Sequence, residues 1–433
     1  MSLADTSGAR AMLLFVAFAL ACAPPGPEEP PTPVRIPTQA AADENESLAQ
    51  LAALPYASWV ATERASEQGV VQRRAGWTAP GLTLYNPRNL ASARLIDSHG
   101  EVLHSWEIPG HSGWHHVEPL ADGRLAALVK EEWIEMVSWD SRLLWRLHTP
   151  VHHDIATTDR GTLLVPVLGE RTVTAPDGTT FPVLDERVLE MTLDGDELAR
   201  HPLGELFDDH VTPYQLVAAR EWAESEAVRV MRREKGRFPS NGPADLLHVN
   251  SLEVLDVDLP GIARRGDLLV SLRELDLVAI VDARFERVLW SWGPGELDRP
   301  HHPSLLPSGR ILIFDNGTRR GHSRVLEIDP PSGEIVWSYP APGQPPLFSW
   351  SRGGAQRLAN GNTLITESNS GRVLEIDRRG ATVWEFLCPE MRDVGEPPQR
   401  QRAAICRARR LEPADLRTFG IARLLRRTSR ATR

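Results

Sequence analysis

The sequence predicts an all-β fold: a six-bladed β-propeller with one helical insertion, behind an exported N-terminal segment. Three observations point there. A hairpin pattern recurs six times, a glycine-turn strand recurs between its copies, and a short apolar N-terminal run precedes a proline-rich stretch.

The hairpin pattern is an apolar strand ending at an acidic turn, followed by a strand that usually closes on Trp. It reads ARLIDSHGEVLHSW (93–106), EMVSWDSRLLWRL (135–147), RVLEMTLDGDELARH (187–201), VAIVDARFERVLWSW (278–292), RVLEIDPPSGEIVWSY (324–339) and RVLEIDRRGATVWEF (372–386). Apolar and polar residues alternate in each copy, the period of a half-buried strand. Asp, Gly, Ser or Pro at each centre are hairpin-turn residues. The second motif appears in LADGRLAALV (120–129), TDRGTLLVPV (158–167), LPSGRILIFDNG (306–317) and LANGNTLITES (358–368). Two motifs of two strands give about four strands per unit, and four-stranded units repeated radially make a propeller. The chain holds 13 Trp against 4 Tyr. Trp106, Trp145, Trp290, Trp337 and Trp384 each close a copy, which assigns them to packing between blades.

The N-terminus reads as an export signal over residues 1–22. Arg10 supplies a thin basic region, and Ala11 to Ala21 form an apolar run too short to span a bilayer. Ala19-Leu20-Ala21-Cys22 resembles a lipoprotein cleavage box with Ala in place of the usual Leu. A lipid anchor on Cys22 and plain cleavage near Ala23 therefore both stand. Residues 23–75 are expected to form a Pro- and Ala-rich tether with a short helix in its second half, because such a composition buries too little apolar surface to fold. The propeller is expected over 76–416, with the insertion at about 202–247. Within it, residues 214–235 lack Gly and Pro and are expected to form one helix lined by Leu216, Val217, Trp222, Val228 and Val230. Residues 417–433 read as a solvated basic tail, and Cys388 and Cys406 as a candidate disulfide pair in an oxidising compartment. The expected location is the periplasm or cell envelope. A net charge of −10 argues against a nucleic-acid partner, which needs a basic surface. A homodimer is compatible with these features.

Histidines cluster just before the glycine-turn strands: His115-His116, His152-His153, His248 and His301-His302. His115, His153 and His301 each stand eight residues before a turn glycine (Gly123, Gly161, Gly309), and the same offset from Gly361 gives Gly353. Equivalent positions on successive blades converge on the propeller axis, so these imidazoles are expected to meet. Such a cluster suits a metal, since His is the commonest metal ligand, or group transfer through a nucleophilic His. No HExxH helix and no carboxylate placed to complete a metal site is evident. A non-catalytic scaffold is the third reading. There is no P-loop and no G-x-S-x-G elbow.

Taken in order, HHDIATTDRG (152–161), HVNS (248–251), SLR (271–273), HHPSLLPSGRILIFDNG (301–317) and RAAICRARRLEPADL (402–416) resemble the bacterial arylsulfate sulfotransferases. The resemblance implies sulfuryl transfer from a phenolic sulfate donor to a phenolic acceptor through a sulfated histidine, with no nucleotide donor, cofactor or metal. Carried over by motif, His301 is the nucleophile, and His248, Asn250, Arg273 and His153 complete the catalytic set. His152 and His302 are assigned supporting, substrate-binding places. His301 is preferred to His302 because its offset to Gly309 matches the other copies. Where the family carries Gln before the nucleophile, this chain has Pro300.

Overall fold

Five copies of the hairpin pattern form the outer half of a four-stranded antiparallel sheet, and the sixth lies in a five-stranded one. The structure is a computed structural model that describes residues 58–431, apart from Asn89, Arg237, Pro239 and Asn241. The export signal, Cys22 and most of the expected tether lie outside the described residues.

Sheet 1 comprises Leu82–Pro87, Ser92–Ile96 and Val102–Glu107, with Ile405–Leu411 from the far end of the chain as its first strand. Sheet 2 runs through His116–Pro119, Leu125–Val129, Trp133–Val137 and Leu143–His148. Sheet 3 runs through Ala156–Thr157, Thr162–Thr174, Thr180–Thr192 and Glu197–Pro202. Sheet 4 holds Val249–Val254, Leu268–Leu272, Leu277–Val281 and Val288–Trp292. Sheet 5 holds Pro300–Leu305, Ile311–Asp315, Arg324–Asp329 and Glu334–Tyr339. Sheet 6 holds Gly354–Arg357, Thr363–Glu367, Arg372–Ile376 and Thr382–Leu387, with Gly69–Arg73 added at its edge. Each outer hairpin shifts register at one place, at Ile96, Val137, Met191, Val281, Ile328 and Ile376 in turn. A repeated bulge of this kind raises the local twist.

Apolar cores join consecutive sheets, and the last joins sheet 6 back to sheet 1. Strand Ile311–Asp315 shows how alternation serves two neighbours. Ile311 and Ile313 pack toward sheet 4, while Leu312 and Phe314 pack toward sheet 6. The closing core sets Tyr85 and Ile96 of sheet 1 against Leu364, Val373, Trp384 and Phe386 of sheet 6. The repeat-closing tryptophans reach across these junctions. The indole N–H of Trp106 donates to Gly123, that of Trp145 to Leu193, that of Trp290 to Pro330 and that of Trp384 to Ser98, at 2.9–3.3 Å. Trp337 meets the Arg357 guanidinium at 4.7 Å from its ring centre. The one copy that ends in histidine uses a different contact, His201 stacked on Phe285 with centroids 4.3 Å apart. Trp384 is fully buried, so Trp384→Ala is expected to cost about 3–5 kcal/mol. Denaturant unfolding measures this, and a loss below about 1 kcal/mol would contradict the latch.

Four expectations change here. Residues 59–61 and 69–73, placed in the tether, are strands: Trp59–Ala61 pairs with Gln399–Ala403, and Gly69–Arg73 with Thr382–Leu387. Their partners lie over 300 residues away, so local composition did not reveal them. The insertion holds two helices, α1 (Pro213–Glu224) and α2 (Glu226–Lys235), because Ser225 leaves helical geometry at ψ 143°. Trp222 and Val228 pack inward as expected, whereas Val230 is exposed. The basic tail is not simply solvated. It forms α3 (Pro413–Thr418) and α4 (Ile421–Ala431), whose Leu416, Ile421, Leu424 and Leu425 pack on sheets 1 and 2. Cys388 and Cys406 are both buried and both free. Among the described residues no helix is long and apolar enough to cross a membrane.

Candidate functional site

The first strand of each sheet begins beside the axis, and the residues entering those strands supply the polar cluster. His153 and His248 adopt left-handed backbone conformations, with φ of 55° and 51°. That region is unusual for a residue with a side chain and recurs at functional sites. The four residues sharing the eight-residue offset, His115, His153, His301 and Gly353, line one small cavity with Asn250 and Arg352. Its volume is about 20 Å³, room for about one water. A Cβ at Gly353 would stand 2.5 Å from the Phe314 ring, so only glycine fits there.

The histidines are bonded to one another. His115 Nε2 lies 2.8 Å from His153 Nδ1, and His153 Nε2 lies 2.9 Å from His248 Nε2. Arg273 Nη1 stands 3.1 Å from that same His248 nitrogen, while its Nη2 pairs with Glu274 at 3.2 Å. Asn250 donates from Nδ2 to the Pro300 carbonyl at 2.8 Å, and its Oδ1 is buried without a hydrogen-bond partner. Ser271 donates to the same carbonyl at 2.9 Å. The proline that replaces the family's Gln thus uses its carbonyl to tie sheets 4 and 5 together.

His301 is held differently. The Asn316 amide nitrogen donates to the carbonyls of Ser349 (2.5 Å) and Arg352 (2.8 Å), which leaves its oxygen facing His301 Nδ1 at 2.6 Å. An oxygen only accepts, so Nδ1 must carry the proton. The Arg299 carbonyl, 3.2 Å from Nδ1, demands the same. A neutral imidazole has one N–H, so Nε2 of His301 is left with a bare lone pair. That atom is buried and has no hydrogen-bond partner. Burial, with Arg273 nearby, pulls the imidazole down to about 3, so it is neutral near pH 7.

Of the two supporting residues, His152 lies within the cluster. Its ring centre is 4.2 Å from that of His153, and its Nδ1 is 3.2 Å from Glu186. His302 does not join it. The register of its strand slips between His301 and Ser304, and His302 lines an adjoining cavity of about 360 Å³ with Glu253, which shares His116 and Arg407 with the cavity at His301. His115 was singled out by its offset to Gly123, but Asp245, Glu186, Arg88, Arg352 and Asn316 were not. Of the latter, only Asn316 carried a signal, as part of FDNG.

His152, His153 and His248 offer nitrogens within 4.8 Å of one another, close enough to hold a metal ion. The surrounding charge favours an anion instead. The guanidinium of Arg273 sits on the very nitrogen a cation would need, and Arg88 stands 2.6 Å from His115 Nδ1. The nearby carboxyl groups do not offset these cations fully, because burial pushes Glu186 up to about 8 and Asp245 up to about 7.

Among curated proteins none matches the chain. Solved structures with a related outline include a protein of unknown function from Bacteroides caccae, 14% identical, covering 76% of this chain and 98% of its own, with a TM-score of 0.45. A catalytically inactive virginiamycin B lyase from Staphylococcus aureus with quinupristin is 10% identical, covers 74% of this chain and 89% of its own, and has a TM-score of 0.39. AztD from Citrobacter koseri is 11% identical over 76% of this chain and 98% of its own, with a TM-score of 0.39. The sequence matches the arylsulfotransferase (ASST) family over residues 116–388, a stretch that takes in His153, His248, Asn250, Arg273 and His301, and the chain belongs to that family.

Proposed function

We propose that this chain is an exported arylsulfotransferase, a closed six-bladed propeller that moves a sulfuryl group from a phenolic sulfate ester to a phenol. Membership of the family supports a sulfotransferase-like activity on phenolic substrates. Six sheets with apolar cores between neighbours, the last returning to the first, support closure. Location in the periplasm or envelope rests on the N-terminal sequence alone.

The observation that carries the mechanism is the bare, buried Nε2 of His301 beside a cation-rich pocket. In the first half-reaction this lone pair attacks sulfur, the sulfur–aryl oxygen bond breaks and the phenolate departs. A neutral imidazole is a competent nucleophile and leaves no charge to be lost first. Arg273 offers a planar fork of donors to the sulfuryl oxygens, and Asn250, which lines the same cavity as His301, is a positioning group. In the second half-reaction the acceptor oxygen attacks sulfur, the N–S bond breaks and the acceptor proton passes to the histidine cluster. The cavity at His301 is small, so the sulfuryl group must displace neighbouring side chains to enter.

Turnover of 4-nitrophenyl sulfate with phenol as acceptor tests this. Acceptor-dependent nitrophenolate release and parallel double-reciprocal lines are expected, the pattern of a covalent intermediate. No release across a panel of phenols, or lines that intersect, would refute it.

A further inference from the structure

Sulfuryl transfer to a phenol liberates a proton inside a buried site, and the structure contains a path for it. Arg88 Nη1 meets His115 Nδ1 at 2.6 Å, His115 Nε2 meets His153 Nδ1 at 2.8 Å, and His153 Nε2 meets His248 Nε2 at 2.9 Å. The file ends where His248 Nδ1 meets Asp245 Oδ2 at 2.5 Å. One assignment of protons satisfies every link. A guanidinium can only donate, so His115 Nδ1 accepts from Arg88 and its Nε2 carries the proton. His153 then accepts at Nδ1 and donates from Nε2. His248 accepts at Nε2, and its Nδ1–H points at the carboxylate. Arg273 enforces the same polarity independently, because it too can only donate to His248 Nε2, at 3.1 Å.

We propose that Asp245 stores the proton released by the acceptor phenol, receiving it through His153 and His248. This rests on the sulfuryl-transfer reading above. The phenol gives its proton to His153 Nδ1 in place of the His115 bond. As Arg273 turns from His248 Nε2 to the sulfuryl oxygens, His153 passes its Nε2 proton to His248 Nε2, and His248 passes its Nδ1 proton to Asp245. Both rings end neutral in the opposite tautomer, and the carboxylate becomes a carboxylic acid, so the protons balance without an imidazolium. Asp245 also lines a cavity of about 260 Å³ beneath α1, with Gln215 and the exposed Tyr214, through which the proton returns to water.

The groups facing Asp245 suit storage. Burial pushes its carboxyl up to about 7, helped by Glu186 and Glu274 and opposed by His152 and Lys130. Burial and the adjacent Arg273 hold His248 well below the ordinary imidazole range. The proton therefore rests on the acid rather than on the ring, the reverse of a serine-protease triad, in which the Asp stays ionised. Asp245 acts through His248 and is a positioning and proton-storing residue.

The test separates the two half-reactions in the full chain. In Asp245→Asn, transfer to phenol is expected to fall on the order of 10²-fold further than the nitrophenolate burst, the scale of lost general-base catalysis. The wild-type acceptor step should rise through about pH 7 as Asp245 ionises, and the variant should lose that inflection while Asp245→Glu regains part of it. Nitrogen NMR of the resting wild type should show His248 protonated at Nδ1. An active wild type whose Asp245→Asn variant keeps both the rate ratio and the pH inflection overturns the relay, as does an Nε2–H tautomer at His248. A wild type that neither releases nitrophenolate nor sulfates a phenol overturns the sulfuryl-transfer reading instead.

Discussion

His301→Ala is expected to lower aryl sulfate turnover on the order of 10⁴–10⁶-fold, the scale of deleting a covalent nucleophile. The substitution removes a lone pair that Asn316 orients and that is free of a hydrogen bond at Nε2. Mass analysis of protein quenched during turnover should show a sulfuryl adduct on the wild-type peptide holding His301 and none on the variant. His302→Ala is the contrast. His302 lines the adjoining cavity and not the one at His301, so its loss should leave turnover within about tenfold of wild type. Asn316→Ala should fall between the two, because it frees the imidazole to take the wrong tautomer, a fault that costs up to ~10⁴-fold elsewhere. If His301→Ala retained turnover, or the adduct lay on another residue, the assignment of the nucleophile would fail.

Ending the chain before Ile405 is expected to abolish cooperative folding. The lost strand pairs with Leu82–Pro87 and completes sheet 1. It carries Ile405 and Ala408 in the core between sheets 6 and 1, and Leu411 in the core between sheets 1 and 2. It also carries Arg410, almost fully buried and bonded to Thr83 and the Ala79 carbonyl. Deleting one large buried aliphatic side chain costs about 2–5 kcal/mol. Two such losses and a row of backbone bonds approach the whole 5–15 kcal/mol of a typical fold. Leu411→Ala, a milder version, should cost about 2–5 kcal/mol. Thermal unfolding followed by circular dichroism decides both. A sharp transition in the truncated chain near that of the full chain would mean that sheet 1 does not depend on its closing strand.

Strand periodicity made the repeating part of this molecule readable. All six outer hairpins and four of the inner turns stand where alternation and turn residues put them, because both signals are local. The eight-residue offset also gathered His115, His153, His301 and Gly353 around one cavity, since equivalent repeat positions share a place relative to the axis. Contacts that depend on distant partners were hidden. Gly69–Arg73 is a strand only because Thr382–Leu387 lies beside it. The apolar face of α4 is a few residues, Ile421, Leu424 and Leu425, scattered among arginines. Within the site, Arg88 gains meaning only through His115 of the next sheet, and Asp245 through a turn that brings it back to His248 three residues on. The tautomer of His301 follows from an arrangement around Asn316 that joins sheet 5 to the entry of sheet 6, which no spacing rule contains.

Each of sheets 1 to 6 contributes to the cluster: Arg88 enters from sheet 1, His115 from sheet 2, His153 from sheet 3, His248 from sheet 4, His301 from sheet 5 and Arg352 from the entry to sheet 6. On the proposed function, the geometry of the site is therefore set by all six of these sheets together. Gain or loss of one repeat, the usual evolutionary currency of solenoids, would change the angle between neighbours and pull these atoms out of reach. Rejoining the ends and opening the ring at a different surface loop, by contrast, preserves every angular relation, so circular permutants should remain the most tolerant route for engineering it.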